Sequence, residues 1–267
     1  MPQQNDDVIG RVNLQRLPAV CRTCQSSARR PLNISTAFQP IVDVRTRSIF
    51  AYEALVRGPE GQPASWVFEQ ITEEDHYFFD QECRITAIRN AARLGVSTRL
   101  SINFLPNAVY DPKTCIQATL RTANEVGFPL DRLIFEVTEH ESVLDQAHVR
   151  HIIDTYRAYG FTTALDDYGV GHATAQLLVA IRPDLLKLDL ALIRGVESDV
   201  WRQALIRSHL AFAQETGVLV IAEGIETAEE ARVLAALGVT HMQGYYFARP
   251  GFETLPEVPE DRFDQML

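Results

Sequence analysis

The sequence predicts an α/β fold of the TIM-like (β/α)8 type, a closed barrel whose first strand runs antiparallel to the others. Three observations predict it. From Phe38 onward, short apolar runs alternate with longer stretches of helical period, the pattern of parallel strands covered by helices. The chain has 267 residues, 46% hydrophobic and 22% charged, which suits one barrel of roughly 250 residues better than two domains. Seven of the apolar runs also carry a carboxylate, amide or lysine: AYEALVRG, RLSINF, RLIFEVTEH, TALDDYGVG, DLLKLDL, VLVIAEGIET and MQGYYFARP. In a closed parallel barrel the carboxyl ends of the strands surround one mouth, where such barrels place their chemistry.

Taken in order, residues 1–34 read as a polar N-terminal tail with no sustained period. Within it Cys21 and Cys24 have the spacing of half a zinc site or a redox pair. No second pair lies nearby to complete four ligands, and two ordinary cysteines are the plainer reading. The domain then spans 35–267. FQPIVDV and SIFAYEALV flank the polar Arg45-Thr46-Arg47 and read as an antiparallel hairpin. Helical stretches follow each later strand: FFDQECRITAIRNAARLG, HVRHIIDTYRAYG, VWRQALIRSHLAFAQETG and TAEEARVLAALG, each closed by a glycine. Their apolar stripes are expected to pack on the barrel. Glu229 and Glu230 read as a solvated first turn, where negative charge favours the helix dipole.

Net charge of -10 argues against a nucleic-acid polymer as partner, because such footprints need clustered Lys and Arg. A small phosphorylated substrate stays compatible if cations supply the positive charge locally. No apolar run reaches the roughly 18–20 residues of a membrane span, and the first residues lack the basic and apolar parts of a secretory signal. The expected location is cytoplasmic, away from membranes, with Cys83 and Cys115 as reduced thiols.

Strand parity says which side chains can meet, since successive residues point to opposite faces. Glu53, Leu55 and Arg57 share a face, as do Ser101 and Asn103, and Glu136 and Thr138, while Lys187 and Glu223 can point inward from their strands. Carboxylates brought that close repel unless protonated or neutralised. Oxygen ligands without histidine or cysteine favour hard cations, hence Mg2+ or Mn2+. Asp166 and Asp167 would diverge on a regular strand, but Gly169 and Gly171 permit a sharp turn that lets both face one centre. A pair of ions about 3.5–4 Å apart activates water and stabilises both oxygens of a phosphoryl displacement.

These blocks resemble the EAL-domain family of cyclic-di-GMP phosphodiesterases. The signature stands as Glu53-Ala54-Leu55 followed by Arg57, and FQPI, SINF, FEVTE, DDYGVG, KLD, AEGIET and QGYYFARP follow in the family's arrangement from Phe38 to Pro250. The resemblance implies bacterial second-messenger signalling: hydrolysis of cyclic-di-GMP to linear pGpG by in-line attack of an activated water, with two ions. Glu53, Asn103, Glu136 and Asp166 would hold one ion, and Asp166, Asp167 and Glu223 the second. Lys187 would position the water, Gln243 would lie near the reacting phosphate, and Glu226 would support the site. Gln39, Leu55 and Arg57 would contact the ligand, and Glu139 would anchor the loop beginning at Asp166. A homodimer through the surface near that loop is also implied.

The family's loop more usually reads DDFGTGYSS, whereas this chain has Asp166-Asp167-Tyr168-Gly169-Val170-Gly171-His172-Ala173-Thr174. The departure bears on the loop's stability, its coupling to a dimer contact and the rate. His172 is read as a loop residue rather than a general base. Singly, each candidate has a structural reading: Glu136 as one half of an ion pair, Asn103 as a helix cap, Lys187 as a partner for Asp166. The rival from another class is a non-catalytic cyclic-di-GMP receptor signalling through a partner, and a barrel acting on another phosphodiester is a third reading.

Overall fold

A computed structural model describes residues 32–72, 75–137, 145–171 and 173–266. The calls on Cys21, Cys24, Thr138, Glu139 and His172 lie outside the described residues. Eight strands close a barrel: β1 (Ser35–Asp43), β2 (Ser48–Arg57), β3 (Arg99–Phe104), β4 (Leu133–Val137), β5 (Thr162–Tyr168), β6 (Leu185–Leu188), β7 (Leu219–Ala222) and β8 (His241–Gln243). Strands β2 to β8 pair in parallel in sequence order. The ring closes through β1, which is antiparallel to both β2 and β8, so the predicted hairpin is the seam of the barrel. A two-residue strand, β9 (Gly251–Phe252), pairs with β1.

The pleat sorts the residues into two apolar layers and one polar one. Ile41, Ala51, Ile134, Ala164, Leu185 and Ile221 form one buried cluster, the apolar plug inside the barrel. The opposite parity, including Leu100, Ile102, Phe135, Leu165, Leu186 and Val220, belongs to the larger core under the helices. Two residues beyond the plug on the five parallel strands that contribute to it stand Glu53, Glu136, Asp166, Lys187 and Glu223. On β1, which runs the other way, the equivalent position is Gln39. Six interior positions thus turn from apolar to polar at one level, at the end of the barrel where the parallel strands finish.

The principal helices outside are α2 (His76–Leu94), α4 (Gln117–Val126), α5 (Gln146–Ala158), α8 (Val200–Thr216) and α9 (Ala228–Leu237). Shorter ones, α1 (Ala64–Phe68), α3 (Pro112–Cys115), α6 (Ala175–Ile181), α7 (Leu190–Ile193) and α10 (Glu260–Asp264), fill the turns. Glycine ends α8 as predicted: Gly217 has φ 76°, and its N–H bonds Ala213 O. The first turn of α9 departs from the expected solvated pair. Glu230 is buried, because its carboxylate accepts the N–H groups of Glu226 and Thr227 while Thr227 Oγ1 accepts from Glu230 N. The Thr-x-x-Glu spacing of a capping box carries that signal in the sequence. Among the described residues Cys83 and Cys115 are in no disulfide, and no helix is long and apolar enough to cross a membrane.

Candidate metal centre

At the mouth, carboxylates converge from strands far apart in sequence. Oxygens of Glu53, Glu136 and Asp166 lie within 4.8 Å of one another, and so do oxygens of Asp166, Asp167 and Glu223. Asp166 belongs to both groups. The reason two adjacent aspartates face one centre is a bulge in β5. Leu165 pairs with Leu186 and Tyr168 with Leu188, so two residues of β5 oppose Lys187 alone. Asp167 itself takes a left-handed conformation with φ 49°, which aspartate tolerates better than most residues. The turn expected from Gly169 and Gly171 is present, with φ 113° and 55°, but it follows the reorientation rather than causing it.

Lys187, 1% exposed, is the hub. Its Nζ lies 2.8 Å from Glu136 Oε2, from Asp166 Oδ1 and from Glu223 Oε1, and 3.9 Å from Glu53 Oε2. Burial opposes its charge, yet Asp166, Glu136, Glu223 and Glu53 outweigh burial and hold the ammonium well above the usual lysine range. Burial likewise raises the Glu223 carboxyl well above its ordinary value, with Lys187 pulling the other way. Glu136 is pushed up to about 8, chiefly by burial and further by Glu53 and Asp166, against the opposing ammonium. Neutral donors complete the first layer of contacts. Ser101 Oγ donates to Glu136 Oε1, Asn103 Nδ2 donates to Glu53 Oε1 at 3.1 Å, and Gln243 Nε2 donates to Glu53 Oε2 at 2.8 Å.

The residues fit hard divalent cations on three counts. Every donor is oxygen. Five carboxylates face one ammonium, an excess of negative charge that two divalent ions would match. The Oδ1 of Asn103 and the Oε1 of Gln243 are buried without a hydrogen-bond partner, free acceptors at the edge of the cage. Among the described residues no arginine is bonded to Glu53, Glu136, Asp166 or Glu223, and their ion-pair partner is Lys187.

A cavity of about 710 Å³ opens above this layer, within the size range of ligand sites. Gln39, Glu53, Leu55, Arg57, Asn103, Asp166, Asp167, Lys187, Glu223, Glu226 and Gln243 all line it, while Glu136 is sealed beneath. Arg57 stands half-buried on the wall and donates to Val56 O at 2.7 Å; burial lowers its pKa against the opposing influence of Tyr245 and Glu53. Gln39 Nε2 donates to Ala248 O at 3.1 Å. Glu226 is exposed at the rim, apart from both carboxylate groups, with Arg194 Nη1 2.6 Å from its Oε2; that hydrogen bond lowers its pKa. The backbone after Gln243 is held tightly: a Cβ on Gly244 would fall 2.1 Å from Ile225 O.

A family model described as EAL domain matches residues 25–250. The chain belongs to the EAL-domain family. Among solved structures, the domain is similar to a standalone EAL protein from Vibrio cholerae O395 in its c-di-GMP-bound form, with TM-score 0.85 and 44% identity, covering 88% of this chain and 99% of that one. It is also similar to BlrP1 of Klebsiella pneumoniae in a manganese/cy-diGMP complex at pH 6, with TM-score 0.80 and 29% identity over 90% of this chain and 64% of that one. Curated relatives include the Escherichia coli K12 blue light- and temperature-regulated antirepressor BluF, 28% identical over 85% of this chain and 57% of the relative. Another is the probable cyclic di-GMP phosphodiesterase PdeN of the same organism, 27% identical over 80% of this chain and 43% of the relative. The chain spans between 29% and 57% of the length of the first three curated relatives it matches.

The cage of this EAL domain has a measurable pH signature. Burial holds the Glu136 pKa up, to about 8, and ligands must ionise to take a cation. Adding Mn2+ at pH 7 is therefore expected to release protons, and Mn2+ affinity to rise from pH 6 to pH 8 in calorimetric titration. Affinity that stays flat across that window would show Glu136 already ionised.

Proposed function

We propose that this EAL domain hydrolyses cyclic-di-GMP to linear pGpG with two divalent cations, Mg2+ or Mn2+. The observation that carries the reading is the sharing of Asp166 between two carboxylate groups within reach of each other. Glu53, Asn103, Glu136 and Asp166 would hold one ion, and Asp166, Asp167 and Glu223 the other. When bound, such ions lower the pKa of water and stabilise charge on a displaced phosphoryl oxygen.

The chain's own groups do the rest. Lys187, bonded to three carboxylates, fixes their spacing and keeps a protonated donor at the floor of the cavity. Gln243 donates one amide N–H to Glu53 and leaves its carbonyl oxygen as an acceptor for a water beside the reacting phosphodiester. Arg57 keeps donors beyond its bond to Val56 and suits a phosphate oxygen of the dinucleotide, with Gln39 and the Leu55 backbone beside it. Linear pGpG keeps its phosphate on the 5′ side. The bond that breaks is therefore between phosphorus and the 3′ oxygen, which leaves with a proton, while water supplies the new oxygen. Glu226 acts at a distance by orienting Arg194 at the rim, and Glu139 is assigned to anchoring the loop from Asp166.

Conversion of cyclic-di-GMP to pGpG by purified protein with Mn2+ tests the assignment. Glu53→Ala is expected to abolish it, since Glu53 also organises Asn103 and Gln243. Undiminished turnover in that variant would refute the reading. A cyclic-di-GMP receptor without turnover is the second reading, favoured by the similarity to a relative named an antirepressor. Ligand binding with no pGpG formed at saturating Mn2+ selects it. A homodimer beside the loop after Asp166 completes the proposal: Tyr168 packs edge-on against His209 of α8, and that helix leaves Val200, Trp201 and Leu205 exposed. Sedimentation equilibrium decides its state, and cell fractionation tests a cytoplasmic location.

A further inference from the structure

Helix α2 carries a buried ion pair with no part in the cavity chemistry described above. Arg84 Nη2 lies 2.6 Å from Asp80 Oδ2, both side chains are 2% exposed, and Arg84 Nε also donates to Asp80 O at 3.3 Å. Removing two charges from water is expensive, and well-packed apolar residues often serve stability as well or better. What the pair does is visible at the other carboxylate oxygen. Asp80 Oδ1 accepts the backbone N–H of Leu105 at 2.9 Å, and Leu105 is the first residue beyond β3. Two residues earlier stands Asn103, whose Nδ2 bonds Glu53 while its buried Oδ1 has no hydrogen-bond partner. Asp80 lines the same cavity as Asn103.

We propose that Asp80 is a positioning residue whose acceptor oxygen fixes the backbone leaving β3 and thereby aims the Asn103 carbonyl oxygen into the cation cage. The inference rests on the reading of Asn103 as a cation ligand. Arg84 balances the buried Asp80 charge from the Oδ2 side and leaves Oδ1 as the acceptor of the Leu105 N–H. Partners that orient metal ligands from behind typically change metal affinity about 10–100-fold when lost.

Two double variants of the full chain separate positioning from packing. Asp80→Leu with Arg84→Met removes both charges and the acceptor. Asp80→Asn with Arg84→Met removes the charges and keeps a carbonyl oxygen for Leu105 N–H. Calorimetric Mn2+ affinity is expected to fall about 10-fold or more in the first and to stay within about 3-fold of the native chain in the second. Hydrogen exchange at the Leu105 amide should accelerate in the first variant alone. Native affinity in the folded first variant, or equal losses in both, overturns the proposal. So does a Leu105 amide in the native chain that exchanges as fast as an exposed loop, a result that stands even if the first variant does not fold. Should the native chain bind no Mn2+, the metal reading fails by itself, and Leu105 exchange across the native chain and the second variant still decides the brace: equal protection supports it, and protection lost in the second variant overturns it.

Discussion

Asp166→Asn is expected to reduce conversion of cyclic-di-GMP to pGpG on the order of 10³-fold at saturating Mn2+, about 4 kcal/mol of barrier. The side chain belongs to both carboxylate groups, so one change weakens both proposed ion sites. The same oxygen set meets Lys187 Nζ at 2.8 Å, so the ammonium also loses a charged partner. Asparagine preserves shape and one oxygen acceptor, which isolates charge from packing. Glu226→Gln is the internal comparison. Its carboxylate sits at the rim against Arg194, outside both groups, and its loss is expected to cost less than about 10-fold. Chromatographic quantification of pGpG with both variants reads the difference. Asp166→Asn activity above a tenth of the native value would mean that the two groups do not act through a shared ligand.

Lys187→Met is expected to produce the largest loss of stability in the barrel. Breaking a buried charge cluster by removing one partner typically costs about 3–5 kcal/mol, and here the lost ammonium serves three carboxylates at 2.8 Å. For a chain of this size that corresponds to a fall in Tm of roughly 6–20 °C. The sign of the pH dependence follows from the carboxyls. Glu136 and Glu223 already titrate above their ordinary values, and without the ammonium they rise further. A carboxyl raised in the folded state contributes most below its unfolded pKa and loses that contribution as pH rises through the folded value. The Tm deficit of the variant should therefore grow from pH 6 to pH 9 in the presence of a chelator, and Mn2+ should recover part of it. A deficit that is constant with pH and indifferent to Mn2+ would indicate lost packing alone.

Much of this arrangement was legible in the sequence because period-2 alternation is a local property. Glu53, Glu136, Asp166, Lys187 and Glu223 each follow an apolar residue of the same parity, and the barrel brings them to one level. The hairpin at β1 was equally local. Other features depend on contacts that no short window contains. The bulge in β5 exists because Asp166 and Asp167 together oppose Lys187, and the glycines that suggested a turn lie beyond it. Asp80 and Arg84, four residues apart on a helix, look like a solvated surface pair until α2 is docked with that face inward. Glu226 lies three residues from Glu223 in the AEGIET block but leaves the cage because Arg194 captures it. Glu230 looked solvent-facing and is instead the acceptor of a capping box.

The seam of the barrel joins residues that are remote along the chain: Ile41 pairs with Gln243 and Asp43 with His241. During synthesis the first hairpin can form as soon as it leaves the ribosome, but its outer edge has no partner until β8 emerges some two hundred residues later. Long-range pairing of this kind slows folding and leaves an unpaired edge open to wrong partners. The charged groups that β2, β4, β5, β6 and β7 bring to the mouth therefore belong to a closed ring only once β8 has paired with β1.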